Sequence, residues 1–370
     1  MVEVLLEPLL ELPSATEDRW AELTSRVASP NPFWEPANAR AAARSLPEGT
    51  DVQLLSVASD DRMLLALPVT RERRFRRLRV AHLSTWTHAQ CCAGNPLVDP
   101  EATSDTWSAM LGHLEREGMS WLVLNLVDVH SEAMHSLDLA VRARRRRVRT
   151  LDVYERAVVL KRPGEPIEIG LSTRHRSDLR RQRRRLDREL AGEVTARDLL
   201  LEGSVEDAVS KFLALEARGW KGRVGTALAC RPEEARFFEE LCAQLHAESR
   251  LEIWSLGTAA QPVALACNLL AGETVVRFKL CYDEDFRRFS PGVQLELEML
   301  AAFERDDRHR WLDSCAAEDN LVYGRIYPQS HTTGTIIVPT GGIGARALAA
   351  VTPTAARALH RVRALRPRRR

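Results

Sequence analysis

The sequence of 370 residues lacks long hydrophobic runs. No apolar segment approaches the roughly 18–20 residues that a membrane-spanning helix requires, which excludes an integral helical membrane protein. The first residues also lack the basic segment and apolar core of a secretory signal peptide, because Glu3, Glu7 and Glu11 interrupt Met1–Leu12. We therefore expect a cytoplasmic protein without a membrane span.

The cysteines lack the spacing of a metal site or of a disulfide framework. Their number, seven, is odd, and the sequence contains neither a Cys-x-x-Cys pair nor a combined Cys/His pattern. We expect reduced thiols and no metal ion. His88 and His175 have no His or Asp companions at triad-like positions, which gives a hydrolase little support.

Lysine is scarce and the net charge is small. Only four of the 53 basic residues are lysines, and the formal net charge is +2. The charge is unevenly distributed, however, because residues 141–190 hold 17 basic and 7 acidic side chains and residues 357–370 add seven arginines. An acidic body with two basic segments predicts a localised anionic partner. No pattern typical of sequence-specific DNA binding is present.

Both halves of the chain mix predicted helices and strands. Two prolines and a glycine in Pro163–Pro166 predict a linker. Beyond it, Ser172 is the predicted N-cap of a long basic helix, and another helix begins near Gly292. Short links between three further strands suit an antiparallel meander: Leu251–Leu256, Val263–Leu270 and Val275–Tyr282. This order favours an α+β fold over a doubly wound parallel sheet.

The segment from Lys279 to Val293 carries the strongest chemical pattern. It is typical of a strand, a loop and the start of a helix. Such a junction offers free backbone N–H groups, the positive end of a helix dipole and an adjacent Arg287, which suits a phosphate or pyrophosphate. Gly292 allows close backbone approach, and Pro291 tolerates the loss of an N–H group at the helix entry. The alternative is a tight turn with solvated arginines.

Four blocks of the second half, taken in order and spacing, resemble the GCN5-related N-acetyltransferase (GNAT) superfamily. More narrowly, they resemble the cellulose-biosynthesis-like acetyltransferases, which are related to the Fem-type aminoacyl transferases. The blocks are Leu171–Leu186, Leu215–Ala227, Lys279–Gly292 and Trp311–Ala316. A fainter resemblance covers Asn31–Phe33 and His88–Leu97 in the first half.

The resemblance implies tandem GNAT-like lobes, each a mixed, mostly antiparallel sheet flanked by helices. Residues 1–162 would form a degenerate companion lobe, and residues 163–340 would form the acyltransferase lobe. Residues 341–370 would form a flexible basic tail.

In GNAT enzymes a loop of the form Arg/Gln-x-x-Gly-x-Gly/Ala binds the pyrophosphate of coenzyme A. The resemblance places Arg287, Ser290, Gly292 and Val293 at this loop and implies acyl-CoA as the donor substrate. The first glycine of the pattern is Ser290 here, and the following Pro291 removes one backbone donor.

The GNAT reaction requires a base for the acceptor amine and an acid for the leaving thiolate. Asp313, at the end of a predicted strand, is the candidate base, and the Tyr282 phenol is the candidate acid. A strand-end cap and a packed aromatic side chain are their respective alternatives. The candidate substrate-binding residues are Trp220, Lys221, Lys279 and Asp283; the two lysines are half of all lysines in an arginine-rich chain.

The predicted helix Arg174–Arg188 carries eight arginines in fifteen residues. Like charges at this density repel each other unless an anionic group is near. The candidate partners are the acidic body itself, coenzyme A phosphates, a tRNA acceptor stem and an acyl carrier protein. A solvated helix is the alternative.

These features together predict a GNAT-type N-acyltransferase. It would move an acyl group from a thioester, by default acyl-CoA, to a primary amine of a small molecule or a polysaccharide precursor. One alternative is an aminoacyl-tRNA- or carrier-protein-dependent transferase that forms an amide bond in secondary metabolism. The other is a catalytically inactive, double-lobed binding protein.

Overall fold

The computed structural model describes residues 2–201, 203–317, 320–342, 347 and 349. Contacts between residues divide the chain into two units. The first comprises residues 1–39, 48–155 and those from 331 onward, and the second comprises residues 40–47 and 156–330.

The strands are β1 (Val2–Pro8), β2 (Gln53–Ser59), β3 (Arg62–Phe75), β4 (Leu78–Thr85), β5 (Leu97–Val98), β6 (Trp121–Asp128), β7 (Arg149–Leu160), β8 (Thr195–Asp198), β9 (Leu251–Gly257), β10 (Pro262–Ala271), β11 (Thr274–Tyr282), β12 (Trp311–Asp313) and β13 (Gln329–Pro339). The helices are α1 (Ser14–Thr24), α2 (Pro36–Ser45), α3 (Ser104–Arg116), α4 (Glu132–Ala143), α5 (Thr173–Glu189), α6 (Val205–Arg218), α7 (Trp220–Arg223), α8 (Pro232–Ala247), α9 (Pro291–Arg305) and α10 (Leu321–Ile326). None of these helices has both the length and the apolar character that crossing a bilayer requires.

In the first unit the strands lie in the order β1-β2-β3-β4-β6-β13-β7, with β5 paired to β3. β4 and β6 are parallel, whereas the pairs β1–β2, β2–β3, β3–β4 and β6–β13 are antiparallel. β6 begins with the apolar run Trp121–Leu124, whose side chains are all buried, as is typical of a strand covered on both faces.

In the second unit the strands lie in the order β7-β12-β11-β10-β9-β8. β9, β10 and β11 form an antiparallel meander, and β12 is parallel to β11 and antiparallel to β7. Leu295 and Met299 of α9, four residues apart and therefore on one helix face, share a core cluster with Val263 and Ala266 of β10. This cluster holds α9 against the sheet.

The parallel pairing of β11 with β12 is short. It covers only Thr274–Val276 opposite Trp311–Asp313. Cys315 then turns the chain with a φ of 48°, in the left-handed region. Within the described residues, the rest of β11 pairs with β10 alone. An opening therefore lies between β11 and the chain that leaves β12.

The α+β fold class is confirmed, because the sheet of each unit is mixed, mostly antiparallel and accompanied by helices. The predicted meander is present as β9–β11. The basic helix is present as α5, and the Ser172 hydroxyl accepts the N–H of His175 at 3.3 Å, as expected of an N-cap. The predicted linker Pro163–Pro166 lies between β7 and α5, outside any helix or strand.

The division of the chain differs from the predicted one. The boundaries were expected after residues 162 and 340, whereas the contacts divide the chain after residues 155 and 330. β13, expected in the second lobe, pairs with β6 of the first unit, where Ile337 lies opposite Val123. Such long-range pairing depends on packing that no local pattern encodes. The predicted flexible tail, residues 341–370, lies outside the described residues except for 341, 342, 347 and 349.

Candidate functional site

A cavity of about 560 Å³ in the second unit occupies the opening between β11 and the chain after β12. Most of the residues singled out in the sequence contribute to its walls. They are Trp220, Lys221, Lys279, Tyr282, Arg287, Ser290, Gly292 and Val293. The fold thus brings together eight of the ten candidate site residues, and Asp283 and Asp313 lie elsewhere.

The start of α9 forms one wall of this cavity. Ser290 adopts the left-handed conformation, with φ 52° and ψ 49°, and its side chain caps no backbone N–H. Because α9 begins at Pro291, the N–H groups of Gly292 and Val293 lie in the first turn, where no intrahelical carbonyl is in reach. A Cβ on Gly292 would lie 3.0 Å from the Leu280 side chain and 3.5 Å from that of Tyr282. The helix entry therefore packs closely on β11.

Arg287 lies just before this helix, in the 3-10 segment Glu284–Phe289. Its side chain is exposed and makes no hydrogen bond or ion pair with any described residue. Its neighbour Arg288, in contrast, pairs with Glu189 of α5 at 2.5 Å. Glu284 lies within electrostatic reach of Arg287, but no hydrogen bond fixes the Arg287 guanidinium, which could turn to an anion at the cavity edge.

Asp283 faces a second cavity, of about 640 Å³. Its carboxylate caps the 3-10 segment by accepting the N–H of Asp285 at 3.1 Å. In the same cavity Arg223 hydrogen-bonds Glu284, and this bond lowers the pKa of that carboxyl. Arg287 borders both cavities. Asp283 was predicted to bind substrate. It lines the second cavity and lies outside the first one, which it adjoins through Arg287.

Lys221 is held by a buried carboxylate. Its ammonium lies 2.7 Å from Glu216 Oε1, while the second Glu216 oxygen accepts the N–H of Leu228 at 2.8 Å. Trp220, next to it, is 52% exposed, and its backbone N–H donates to Glu284 Oε1 at 2.8 Å. Lys279, on β11, lies 5.1 Å from the centre of the Phe278 ring. Lys221 of α7 and Lys279 of β11 therefore line different walls of the cavity.

The two predicted catalytic residues occupy different positions. Tyr282 lies at the end of β11, beside the start of α9. Asp313 is buried and lies outside the cavity lining: one carboxylate oxygen accepts the N–H of Cys315 at 2.7 Å, and the other lies 3.5 Å from Arg156. The three residues that follow Asp313 do line the cavity.

A buried polar cluster at the cavity was missed in the sequence. Arg277 Nε of β11 donates to Glu296 Oε1 of α9 at 3.0 Å, and both side chains are at most 3% exposed. The Tyr327 hydroxyl donates to the same oxygen, and Tyr323 of α10 lies beside it. One signal was present: an arginine in an apolar strand and a glutamate among the apolar residues of α9.

Electrostatics keep Arg277 charged and the two tyrosines of this cluster neutral. Burial opposes the charge of Arg277, but the adjacent Glu296 carboxylate raises the Arg277 pKa above its ordinary value. Burial, reinforced by the same carboxylate, raises the pKa of Tyr323 and of Tyr327. Both phenols therefore stay protonated at neutral pH and remain hydrogen-bond donors.

No group of three or more His, Cys, Asp and Glu side chains that could hold a metal ion is found in the described part of the chain. The cavity does fit a phosphorylated acyl donor. The exposed Arg287, first-turn N–H groups of α9 and the strand edge of β11 all border it.

Residues 173–321 match the family model described as Acetyltransferase (GNAT) domain. No curated protein matches the chain. The crystal structure of FemX is 10% identical, covers 91% of this chain and 97% of its own, and has a TM-score of 0.57. A conserved protein of unknown function from Bacteroides thetaiotaomicron VPI-5482 is 13% identical, with coverages of 91% and 100% and a TM-score of 0.54.

A third solved structure is the C-terminal domain of a putative lysylphosphatidylglycerol synthetase from Agrobacterium fabrum. It is 12% identical, covers 92% of this chain and 96% of its own, and has a TM-score of 0.53. At such identities these likenesses concern the fold. Together with the family match they confirm the expected α+β fold, with the GNAT domain in residues 173–321.

The backbone of Ser290 leads to a prediction about stability. A left-handed non-glycine residue is strained, so we expect Ser290→Gly to raise the free energy of unfolding by about 0.5–1 kcal/mol. Ser204 is the control, because its hydroxyl caps α6 and its φ is −84°, outside the left-handed region. Ser204→Gly should lower the free energy of unfolding by a few tenths of a kcal/mol. Urea denaturation of both variants measures the difference, and equal losses would show that Ser290 is unstrained.

Proposed function

We propose that the chain, whose residues 173–321 match the GNAT domain model, is an N-acyltransferase that moves an acyl group from acyl-CoA to a primary amine. The observation that supports this function is the opening between β11 and β12, which ends at the first turn of α9. An elongated thioester with a phosphorylated end would find a strand edge and a helix N-terminus in one cavity.

The donor would bind along β11. Its phosphates would contact Arg287 and the N–H groups of Gly292 and Val293. The strand edge of β11 beyond Val276 would hydrogen-bond the amide groups of the arm that carries the thioester. The acyl group would then lie where β11 and β12 diverge, near Arg277.

This orientation of the donor gives Tyr282 and Tyr323 different roles. About 17 Å of strand separates Tyr282 from Arg277 at roughly 3.3 Å per residue, so Tyr282 would lie near the phosphates. Tyr323 lines the same cavity beside Glu296, close to the expected thioester. We therefore propose that the Tyr323 hydroxyl donates a hydrogen bond to the thiolate that leaves when the C–S bond breaks, because its raised pKa keeps this phenol protonated. The amine loses its proton to water. Tyr282 would form part of the donor-binding wall.

Asp313, the predicted base, is proposed here as a positioning residue. Accepting a proton from the amine would require its carboxylate to turn away from Arg156 and from the N–H of Cys315. In its observed position it holds the turn that carries Ser314, Cys315 and Ala316 into the cavity wall. Trp220, Lys221 and Lys279 are proposed to contact the acyl group and the acceptor.

Arg287 and Arg288 provide a matched pair for donor binding. We expect Arg287→Ala to weaken coenzyme A binding by about 10–100-fold, because a charge-assisted hydrogen bond contributes about 1.5–3 kcal/mol. Arg288→Ala removes the same charge from the adjacent residue, which already pairs with Glu189, and should change binding less than threefold. Titration calorimetry measures both affinities. A larger loss in Arg288→Ala would move the phosphate site to the second cavity.

Steady-state kinetics separate the two tyrosines. With acetyl-CoA and an amine acceptor, we expect Tyr323→Phe to lower kcat by about 10–100-fold, because it removes a hydrogen bond of about 1.5–3 kcal/mol to the departing thiolate. Tyr282→Phe should raise KM for acetyl-CoA while kcat stays within about threefold. Tyr154→Phe, in the first unit, is the control. The reverse pattern would restore Tyr282 as the acid.

The charge of α5 favours a second candidate donor, an acyl or aminoacyl group carried by tRNA or by an acyl carrier protein. Six exposed arginines of α5 form no ion pair with any described residue: Arg174, Arg176, Arg180, Arg184, Arg185 and Arg188. α5 also contacts the donor-phosphate segment, since Arg183 donates to Gln294 at 3.1 Å and Arg288 pairs with Glu189. A bulky anionic donor could therefore extend over this helix.

Salt dependence tests this candidate. If tRNA binds α5, the triple variant Arg176→Gln/Arg180→Gln/Arg184→Gln should weaken tRNA binding at 50 mM salt and reduce the slope of log K against log salt by about 2. The variant Arg73→Gln/Arg77→Gln/Arg79→Gln removes equal charge from exposed residues of the first unit and is the control. Equal losses would indicate non-specific binding, whereas binding of an acyl carrier protein alone would select the other donor.

A further inference from the structure

An arginine-rich surface of the first unit takes no part in the proposed transfer. Two segments form this arginine surface: residues 71–79 around the turn between β3 and β4, and residues 142–149 from the last turn of α4 to the first residue of β7. Together they carry twelve arginines and one acidic residue, Glu72. Such an excess of one charge favours an anionic partner.

The fold places the two segments side by side. Arg76, in the turn of the hairpin, pairs with Asp152 of β7. Leu151, the residue before Asp152, belongs to the apolar cluster on which Phe75 and Leu78 of the hairpin pack. The hairpin is therefore fixed against the start of β7, and the arginines of both segments share one surface.

Carboxylates neutralise only part of this surface. Glu115 pairs with Arg144 and Arg146, and Glu117 pairs with Arg71. Six exposed arginines form neither an ion pair nor a side-chain hydrogen bond with any described residue: Arg73, Arg74, Arg77, Arg79, Arg145 and Arg147. Their guanidinium groups can therefore bind an external anion.

This arrangement is costly for the protein alone. Arg74 lies directly opposite Arg79 in the antiparallel pair, and like charges in such positions repel each other. Arg76 and Arg145 are left-handed, with φ of 55° and 56°, a conformation that strains a residue with a side chain. Charges on an exposed strand also prevent unwanted sheet pairing, but residues 142–149 lie mostly outside any strand. An anionic partner accounts for both segments, because it would offset the repulsion.

Neighbouring side chains favour a lipid surface as that partner. Leu139 and Val153, which flank the second segment in the sequence, are 50% and 53% exposed. Phe75, at the tip of the hairpin, packs edge-on against Trp121 and His82, so it is held within the protein and is not available to stack on a base. Arginines beside exposed apolar side chains suit the interface of an anionic bilayer better than a nucleic acid.

We propose that the arginine surface binds anionic phospholipids and holds the protein peripherally on a bilayer. The phosphates of the headgroups would accept hydrogen bonds from the unpaired guanidinium groups, while Leu139 and Val153 would enter the interface. No step of the proposed acyl transfer depends on this contact, so either inference can fail without the other.

Vesicle co-sedimentation of the full chain tests the proposal. The probes are vesicles of phosphatidylcholine with about 30% phosphatidylglycerol, and vesicles of phosphatidylcholine alone. We expect binding to the anionic vesicles only, and weaker binding as the salt concentration rises. Because one arginine near an anionic surface contributes about fivefold in affinity, Arg73→Gln/Arg77→Gln/Arg79→Gln should weaken binding by about tenfold or more. Arg145→Gln/Arg147→Gln should weaken it by about fivefold or more.

The variant Arg176→Gln/Arg180→Gln/Arg184→Gln removes three charges from α5 of the second unit and is the matched control. Its affinity for anionic vesicles should change by less than about threefold. Leu139→Ser keeps the charge and should weaken vesicle binding by about threefold or more. The hairpin substitutions concern exposed side chains and relieve the repulsion between Arg74 and Arg79, so the melting temperature should not fall.

The outcomes separate this inference from the proposed function. No binding of anionic vesicles by the wild type, or equal losses in the hairpin and α5 variants, would overturn the proposal. So would a hairpin variant that loses tRNA but keeps the vesicles, because the surface would then bind nucleic acid. Coenzyme A affinity and acetyl transfer, measured without vesicles, should be unchanged in the hairpin variant. Absence of transfer by the wild type would contradict the proposed function alone.

Discussion

The parallel pairing of β11 with β12 stops after three residues, and the candidate site depends on this interruption. A continued ladder would occupy the strand edge and close the cavity. The chain leaves β12 instead, because Asp313 binds the N–H of Cys315 and Cys315 takes a left-handed turn. The apolar face of α9 then holds the helix entry against the open half of β11. A strand edge and a helix N-terminus are thereby presented to the same small volume.

The buried pair of Arg277 and Glu296 lies at the closed end of this opening. An ion pair in a core is a costly way to gain stability, since well-packed apolar residues often serve as well. The pair lies where β11 loses its partner strand, on the wall of the candidate cavity. The cavity thus has a cationic, exposed end at Arg287 and a buried end at the Arg277–Glu296 ion pair.

Local patterns predicted the meander, the capped start of α5 and the strand–loop–helix segment from Lys279 to Val293. These features lie within short stretches of chain, where periodicity, capping and turn residues act directly. The cluster around Glu296 joins β11, α9 and α10, and Asp313 meets Arg156 from β7. The apolar residues around Arg277 and Glu296 are a sign of burial in the sequence, but only the folded arrangement shows which charges are paired with each other. The return of β13 to the first unit escaped prediction for the same reason.

Hydrogen exchange measured with and without coenzyme A tests most directly whether the donor occupies the opening between β11 and β12. The account predicts slower exchange for amides in β11 beyond Val276 and for Gly292 to Gln294 at the start of α9. Amides of β9, on the far side of β10, should be unaffected. Protection confined to the second cavity, or no change in β11 and α9, would contradict the account.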